Sequence, residues 1–263
     1  MGLKISVLCS GSSGNSIYIE GKSVKILVDA GMSGKKMSGH LEEIGAEARE
    51  IDAILLTHEH KDHIQGAGVL SRRYDIPIYT TEKTWEEAGS DLGEIESCNQ
   101  CLLEEEFLLG GLEIQSFATS HDACDPRGYI IRDVDAAIGI ATDTGRIPDG
   151  LQEKFHGLDC MVVESNHDLE MLMTGSYPWA LKKRIRSNLG HLSNDDAAAL
   201  LPEVVGSNRP LIFLAHLSED NNIPDLALIT VKNNLEDKGI SVGEDVRLTC
   251  ANRNHPTRLY EVG

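Results

Sequence analysis

Seven consecutive residues, Thr57-His58-Glu59-His60-Lys61-Asp62-His63, hold three imidazoles and two carboxylates. Neutral imidazole and carboxylate are donors that zinc, manganese and iron accept. His58 and His60 lie two apart, so in an extended loop they point the same way. Asp62 and His63 then fall at the start of a helix and can turn toward a second point. One loop thereby offers two donors to each of two cations. The apolar run Ala53-Ile54-Leu55-Leu56 comes directly before it. A strand feeding such a loop is a common place for a site, and a merely solvated loop would not need four donors at this density.

A second region could do chemistry on an anion. Leu181-Lys182-Lys183-Arg184-Ile185-Arg186 carries four cations in six residues, and Asn188-Leu-Gly-His191-Leu-Ser193 follows. Ser193 or Asn194 can cap the next helix. His191 then lies beside a helix amino end, where phosphate is favoured. The competing readings are a solvated helix face for Lys182, Lys183, Arg184 and Arg186, and a plain loop histidine for His191.

These residues need elements to hold them. The sequence predicts strands at 4–8, 16–20, 24–29, 53–56, 76–79, 112–118, 129–132, 136–141, 160–164, 211–215 and 247–250, from apolar runs punctuated by Gly, Ser and Asp. Helices are expected from Ser33 through Met37, Leu41 and Ile44, from His63 through Leu70, and over 81–88, 179–186, 194–201 and 224–235. Strands and helices fall in two parallel halves. The fold class expected is α/β, an αββα sandwich of two face-to-face mixed sheets with helices outside, forming a single domain over 1–263.

Composition narrows the setting. The chain has 263 residues and a net charge of −18, which argues against indiscriminate nucleic-acid binding by the whole surface but not against a local cationic strip. No run approaches the roughly 20 apolar residues of a membrane span. The amino-terminal Met1-Gly-Leu-Lys-Ile-Ser-Val is not shaped like a leader, and the six cysteines are scattered, so a cytoplasmic protein with reduced thiols and no membrane partner is expected. Cys98 and Cys101 form one C-x-x-C without the second pair a zinc ribbon needs.

The loop at 58–63 resembles the H-x-H-x-D-H signature of the metallo-β-lactamase superfamily. Further motifs follow in the family's order. Asp29, in Leu-Val-Asp-Ala-Gly, looks like the first acid, which orients the loop. His121, after Ser116-Phe-Ala-Thr-Ser120, looks like the third metal histidine. Asp143, in Ala141-Thr-Asp-Thr-Gly145, looks like the bridging carboxylate, and His216, in Phe213-Leu-Ala-His-Leu217, like the final histidine. The resemblance implies two divalent ions (Zn, Mn or Fe), one on His58, His60 and His121, the other on Asp62, His63 and His216, with Asp143 shared. The loop Gly11-Ser-Ser-Gly-Asn15, the segment Glu164-Ser-Asn-His167 and the Gly-His191-Leu-Ser segment are similar to the YycJ/WalJ group, regarded as nuclease-like. Ser13 and Asn15 become candidate substrate contacts and Glu164 a support behind the metals.

That resemblance implies a 5′-to-3′ exonuclease acting on DNA ahead of RNA. A hydroxide shared by the ions would attack phosphorus, Asp62 would orient it, and His191 would protonate the leaving group. Two rivals stay open at this point. One is another hydrolase on the scaffold, a thioesterase or a small cyclic phosphodiesterase. The other is a non-enzymatic metal or redox sensor. Oligomeric state is not legible in the sequence.

Overall fold

The computed structural model describes residues 2–263; Met1, where the leader reading begins, lies outside them. Strands, numbered in chain order, are β1 (Leu3–Cys9), β2 (Ser16–Glu20), β3 (Lys25–Val28), β4 (Ala53–Leu55), β5 (Ile78–Thr80), β6 (Gln100–Leu102), β7 (Glu106–Leu109), β8 (Leu112–Ala118), β9 (Arg127–Arg132), β10 (Ala137–Ala141), β11 (Cys160–Glu164), β12 (Leu211–Ala215), β13 (Arg247–Cys250) and β14 (Tyr260–Val262). They form two seven-stranded sheets, ordered β14-β1-β2-β3-β4-β5-β6 and β13-β12-β11-β10-β9-β8-β7. Both are mixed: β1 to β3 run antiparallel and β3 to β6 parallel, while β7 to β10 run antiparallel and β10 to β13 parallel.

Burial explains the layering. Ile5, Val7, Ile19, Val28 and Leu55 of the first sheet meet Ile114, Tyr129, Ile138, Val162 and Phe213 of the second in a shared interior. Helices α1 (Gly34–Glu43), α3 (Ala67–Tyr74) and α4 (Glu82–Leu92) cover the outer face of the first sheet through Met37, Leu41, Leu70 and Leu92. Helices α5 (Leu151–Phe155), α8 (Asn194–Val204) and α9 (Pro224–Asp237) cover the second through Phe155, Leu201 and Val231. The architecture is the expected αββα sandwich. The central strands are buried on both faces, which is why β11 and β12 read as unbroken apolar runs rather than alternating ones.

Strand direction places the site. β1, β3 and β4 share one direction in the first sheet, and β8, β10, β11 and β12 share one in the second. Their carboxyl ends supply every loop singled out above except the one holding His191. That histidine follows α7 (Trp179–Ile185), which comes after α6 (Leu169–Thr174).

Three expectations are corrected in detail. The helix expected from His63 through Leu70 is two: α2 (Lys61–Ile64) and α3, broken at Gln65 and Gly66. Gly66 donates to the Ala30 carbonyl at 2.7 Å, and a Cβ there would lie 2.2 Å from the Met32 carbonyl oxygen, so the chain turns where only glycine fits. Ser33 precedes α1 without making a side-chain cap bond. β6, β7 and β14 were not expected; β14 is a three-residue strand fixed by pairing to β1 at the opposite end of the sequence.

Backbone hydrogen bonds tie down the entry to α2. Asn15 donates to the Asp62 carbonyl at 2.8 Å, and Gly31 donates to the Asn15 carbonyl at 2.9 Å. A Cβ on Gly31 would lie 1.6 Å from the Asp62 oxygen, while one on Gly39 in α1 would meet nothing within 4 Å. Gly31→Ala must therefore displace α2, and we expect it to lower stability by about 1–3 kcal/mol, the usual range for overpacking. Gly39→Ala should instead raise stability by about 0.5–1 kcal/mol. Urea unfolding of both variants checks the pair; a Gly31→Ala protein as stable as the parent would mean that α2 does not sit where described.

Candidate metal centre

Each imidazole in the centre has one nitrogen tied back and the other aimed inward. Nδ1 of His63 meets Asp29 Oδ2 at 2.7 Å and Thr57 Oγ1 at 3.2 Å. Nδ1 of His58 meets Thr57 Oγ1 at 2.9 Å, Nδ1 of His121 donates to the Gly190 carbonyl at 3.1 Å, and Nδ1 of His216 meets Glu164 Oε1 at 2.9 Å. Such outer bonds fix ring orientation and leave Nε2 as the donor to a metal. His60 is the exception, since its Nδ1 faces Nε2 of His58 at 3.0 Å.

The inward atoms gather in overlapping groups. His58, His60 and His121 form one, and Asp62, His63 and His216 another, with donor atoms within 4.8 Å of one another. Asp143 reaches both: Oδ1 lies 3.9 Å from His121 Nε2 and Oδ2 lies 3.4 Å from His63 Nε2. In each triad two donors come from the loop after β4 and one from a loop of the second sheet. The ends of β3, β10 and β12 turn sharply to do this. Asp29, Asp143 and His216 have φ of 63°, 54° and 57°, a left-handed conformation that Asp and His tolerate better than most side chains.

The residues fit divalent metal. Asp143 Oδ2 and His216 Nε2 are buried and have no hydrogen-bond partner among the described residues, although both point into the centre. Such atoms cost free energy unless something meets them. The electrostatics agree. Burial pushes the His58 and His121 imidazoles down, keeping them neutral as metal donors must be. Burial would also lower His63, but Asp29, Asp143 and Asp62 hold it up at about 9. His216 is likewise raised, against its burial, by Asp143, Asp62 and Glu164. Asp62 and Glu164 stay below the usual carboxylate range despite burial, held there by His216 and His63, and by His191 and His216, respectively. The carboxylates thus demand positive charge, which protons supply in the bare chain and which a metal ion supplies with release of those protons.

Around this centre the other expected residues sort themselves. Glu164 is fully buried and accepts from His191 Nδ1 at 2.7 Å, His216 Nδ1 at 2.9 Å, Thr144 N at 2.8 Å and Leu192 N at 3.4 Å. His191 lies 3.8 Å from Asp143 Oδ1 and is one-fifth exposed, the most open imidazole at Asp143. Its orientation comes from Glu164 rather than from the helix amino end. Ser193 and Asp196 already close that end with a capping box, and Asp195 stands beside them. Asn15 does not face solvent. Its amide oxygen accepts from Gly11 N at 2.8 Å, and its amide nitrogen lies 3.1 Å from Asp62 Oδ2 and 3.0 Å from His63 Nε2. It is a positioning residue behind Asp62, a role its turn-like Gly-Ser-Ser-Gly-Asn context gave no sign of. Ser13 is exposed on the same turn.

The cationic strip divides. Lys182 is buried, and its ammonium donates to the Met173 and Gly175 carbonyls at 2.8 and 2.7 Å, so it is a tie within the chain and is not carried forward as a substrate contact. Its three cationic neighbours in the strip remain outside. Arg184 is paired with Asp122, its Nε 2.6 Å from Oδ2. Lys183 and Arg186 are exposed. His167, which closes the Glu164-Ser-Asn-His167 segment, is buried and bridges to Ser193 at the start of α8.

Known proteins resemble the chain throughout. The family model for the Beta-lactamase superfamily domain matches residues 24–213. A Streptococcus pneumoniae protein named exodeoxyribonuclease WalJ is 42% identical over all of this chain and 99% of its own length. The Bacillus anthracis protein named exodeoxyribonuclease YycJ is 40% identical over the whole of both. Among solved structures, the metallo-β-lactamase fold protein YhfI of Bacillus subtilis superposes with a TM-score of 0.74 over 98% of this chain and all of its own, at 17% identity. The chain belongs to the metallo-β-lactamase superfamily. Within it, the chain is of the YycJ/WalJ type.

Asp29 touches no inward donor atom directly, yet it fixes both Thr57 and His63. We expect Asp29→Asn to weaken metal affinity by about 10–100-fold, the range for such outer partners. Competition with a fluorescent chelator would measure it; an unchanged affinity would mean that His63 needs no orienting carboxylate.

Proposed function

We propose that the chain is a dinuclear metal-dependent nuclease, a 5′-to-3′ exonuclease that hydrolyses phosphodiester bonds in DNA ahead of RNA. The observation that carries this reading is the position of His191. It stands beside Asp143 at the mouth of the centre, with Nδ1 on a fully buried carboxylate. The full-length likeness to two proteins named exodeoxyribonucleases supports it.

Zn, Mn or Fe on these donors would lower the pKa of water and offset charge on phosphoryl oxygens. The chain's own residues do the rest. His58, His60 and His121 would hold one ion and Asp62, His63 and His216 the other, with Asp143 common to both. Asn15 pins Asp62 through Oδ2, and a carboxylate so fixed would orient the attacking water. Departure of the sugar oxygen calls for a proton on the side away from attack. His191 supplies it from Nε2. Glu164 holds the Nδ1 proton and stabilises the imidazolium that must form before Nε2 can donate. Among the described residues no helix is long and apolar enough to cross a membrane. All six cysteines are unpaired, as suits a reducing cytoplasm.

Two substitutions test separate parts. Asp143→Ala should remove both ions or leave them at unequal, weakened occupancy, whereas His216→Ala should weaken one. Metal content after dialysis reads this, and two fully retained ions in Asp143→Ala would overturn the shared-carboxylate assignment. His191→Ala should keep both ions and cut kcat on DNA by about 10²–10⁴-fold, the range for a general acid. Its loss should be smaller on a bis(nitrophenyl) phosphodiester, whose leaving group departs without a proton. Equal losses on both substrates would remove His191 as the acid. Hydrolysis of a thioester in place of either ester would turn the reading to a thioesterase.

A further inference from the structure

A band of surface leads away from His191, and nothing in the hydrolytic reading so far uses it. A cavity of about 420 Å³ opens beside His191 and runs between Arg146, Asn188 and Arg186. Arg186 also lines a second hollow, of about 240 Å³, whose other walls are Trp179, Lys183, Met173 and the stem of Lys182. The two hollows lie on either side of Arg186, one beside His191 and the other against Trp179.

Trp179 is unusual in this chain. It is one of two tryptophans, and more than half of its surface is open, whereas Trp85 packs against the first sheet's outer core and donates from its indole to the Cys101 carbonyl. An indole left in water needs a reason, since its apolar area gains by burial. The Lys183 ammonium lies over the Trp179 ring, 5.7 Å from its centroid, so a cation sits on one face of an indole that is more than half open. Arg186 rests its guanidinium on the Met173 sulfur at 3.3 Å and carries no carboxylate partner there. In a protein of net charge −18, this is a local cationic surface with an aromatic plate in it.

Aromatic plates between cations are how proteins hold single-stranded nucleic acid: bases stack on the ring while phosphates follow the charges. A duplex cannot use such a plate, because its bases already stack on one another. We propose that Trp179 is a base-stacking platform, with Lys183 and Arg186 following the backbone, for a single strand whose end lies at His191. This rests on the nuclease reading for the position of the strand's end, but not for the stacking itself. Asp195 and Asp196 also line the first cavity and repel phosphate, so within it the backbone has to follow Arg146 and Arg186.

Two measurements separate the inference from the reading beneath it. In a Trp85→Phe chain, Trp179 is the sole tryptophan, and its fluorescence should be quenched on titration with oligothymidylate but far less with a blunt duplex of equal charge. No quenching by the single strand overturns the platform, whether or not the protein cuts DNA. In steady-state digestion, Trp179→Ala should raise KM for a single-stranded oligonucleotide at least about fivefold, following the known worth of one stacked base. Trp179→Phe should recover most of that loss, since a smaller ring still stacks. Equal KM in parent and Trp179→Ala, or a loss that Phe does not recover, also overturns the platform. Quenching without any digestion by the parent chain would leave the platform standing and remove the nuclease reading. Because the indole is more than half open, melting temperatures of the variants should match the parent, and a large drop would assign Trp179 to folding instead.

Discussion

A carboxylate taken out of water must have its lone pairs filled, and two such groups organise this molecule. Asp29 ends β3 of the first sheet, and Glu164 ends β11 of the second. Asp29 accepts from the backbone and hydroxyl of Thr57 and from His63, so one side chain sets the loop that holds four donors. Glu164 accepts from Thr144, Leu192, His191 and His216, which belong to three different loops. Each sheet thus carries one buried anchor, and the functional side chains hang from these anchors rather than from the strands themselves. Losing either would leave buried donors unmet along a whole loop, a far larger effect than the removal of one hydrogen bond.

The same logic accounts for the charge pattern of the centre. The carboxylates of Asp29, Asp62, Asp143 and Glu164 face the buried imidazoles of His63, His121 and His216 and the partly exposed His191. The hydrogen bonds among the described residues leave Asp143 Oδ2 and His216 Nε2 unmet. An apolar interior of this kind strengthens every interaction at its edge. It makes an unmet donor expensive and a divalent ion at the same point stabilising.

Much of this was readable before any coordinates. Donor density after a buried strand picked out residues 58–63, because such a cluster has no ordinary structural use. Apolar runs gave the central strands, since parallel strands buried on both faces have no polar alternation to obscure them. What stayed hidden depended on partners distant in sequence. β14 has three residues and exists by pairing to β1. The inward turn of Lys182 follows from the carbonyls of Met173 and Gly175, which no spacing along α7 announces. Asn15 reads as a candidate substrate contact, and its positioning role is hidden because its targets, Asp62 and His63, lie 47 and 48 positions away. Helix propensity alone could not show the break at Gly66, which is a matter of backbone crowding against Met32.

Each donor triad takes two members from the loop after β4 and one from the second sheet, and this has a bearing on the order of assembly. A chain that has formed only its first sheet presents pairs of donors, and a pair closes neither triad. His121, Asp143 and His216 arrive only when the second sheet docks across the shared interior. Both triads are therefore complete only after the two halves meet, so apolar docking across the shared interior has to hold the sheets together before the donors can close around an ion.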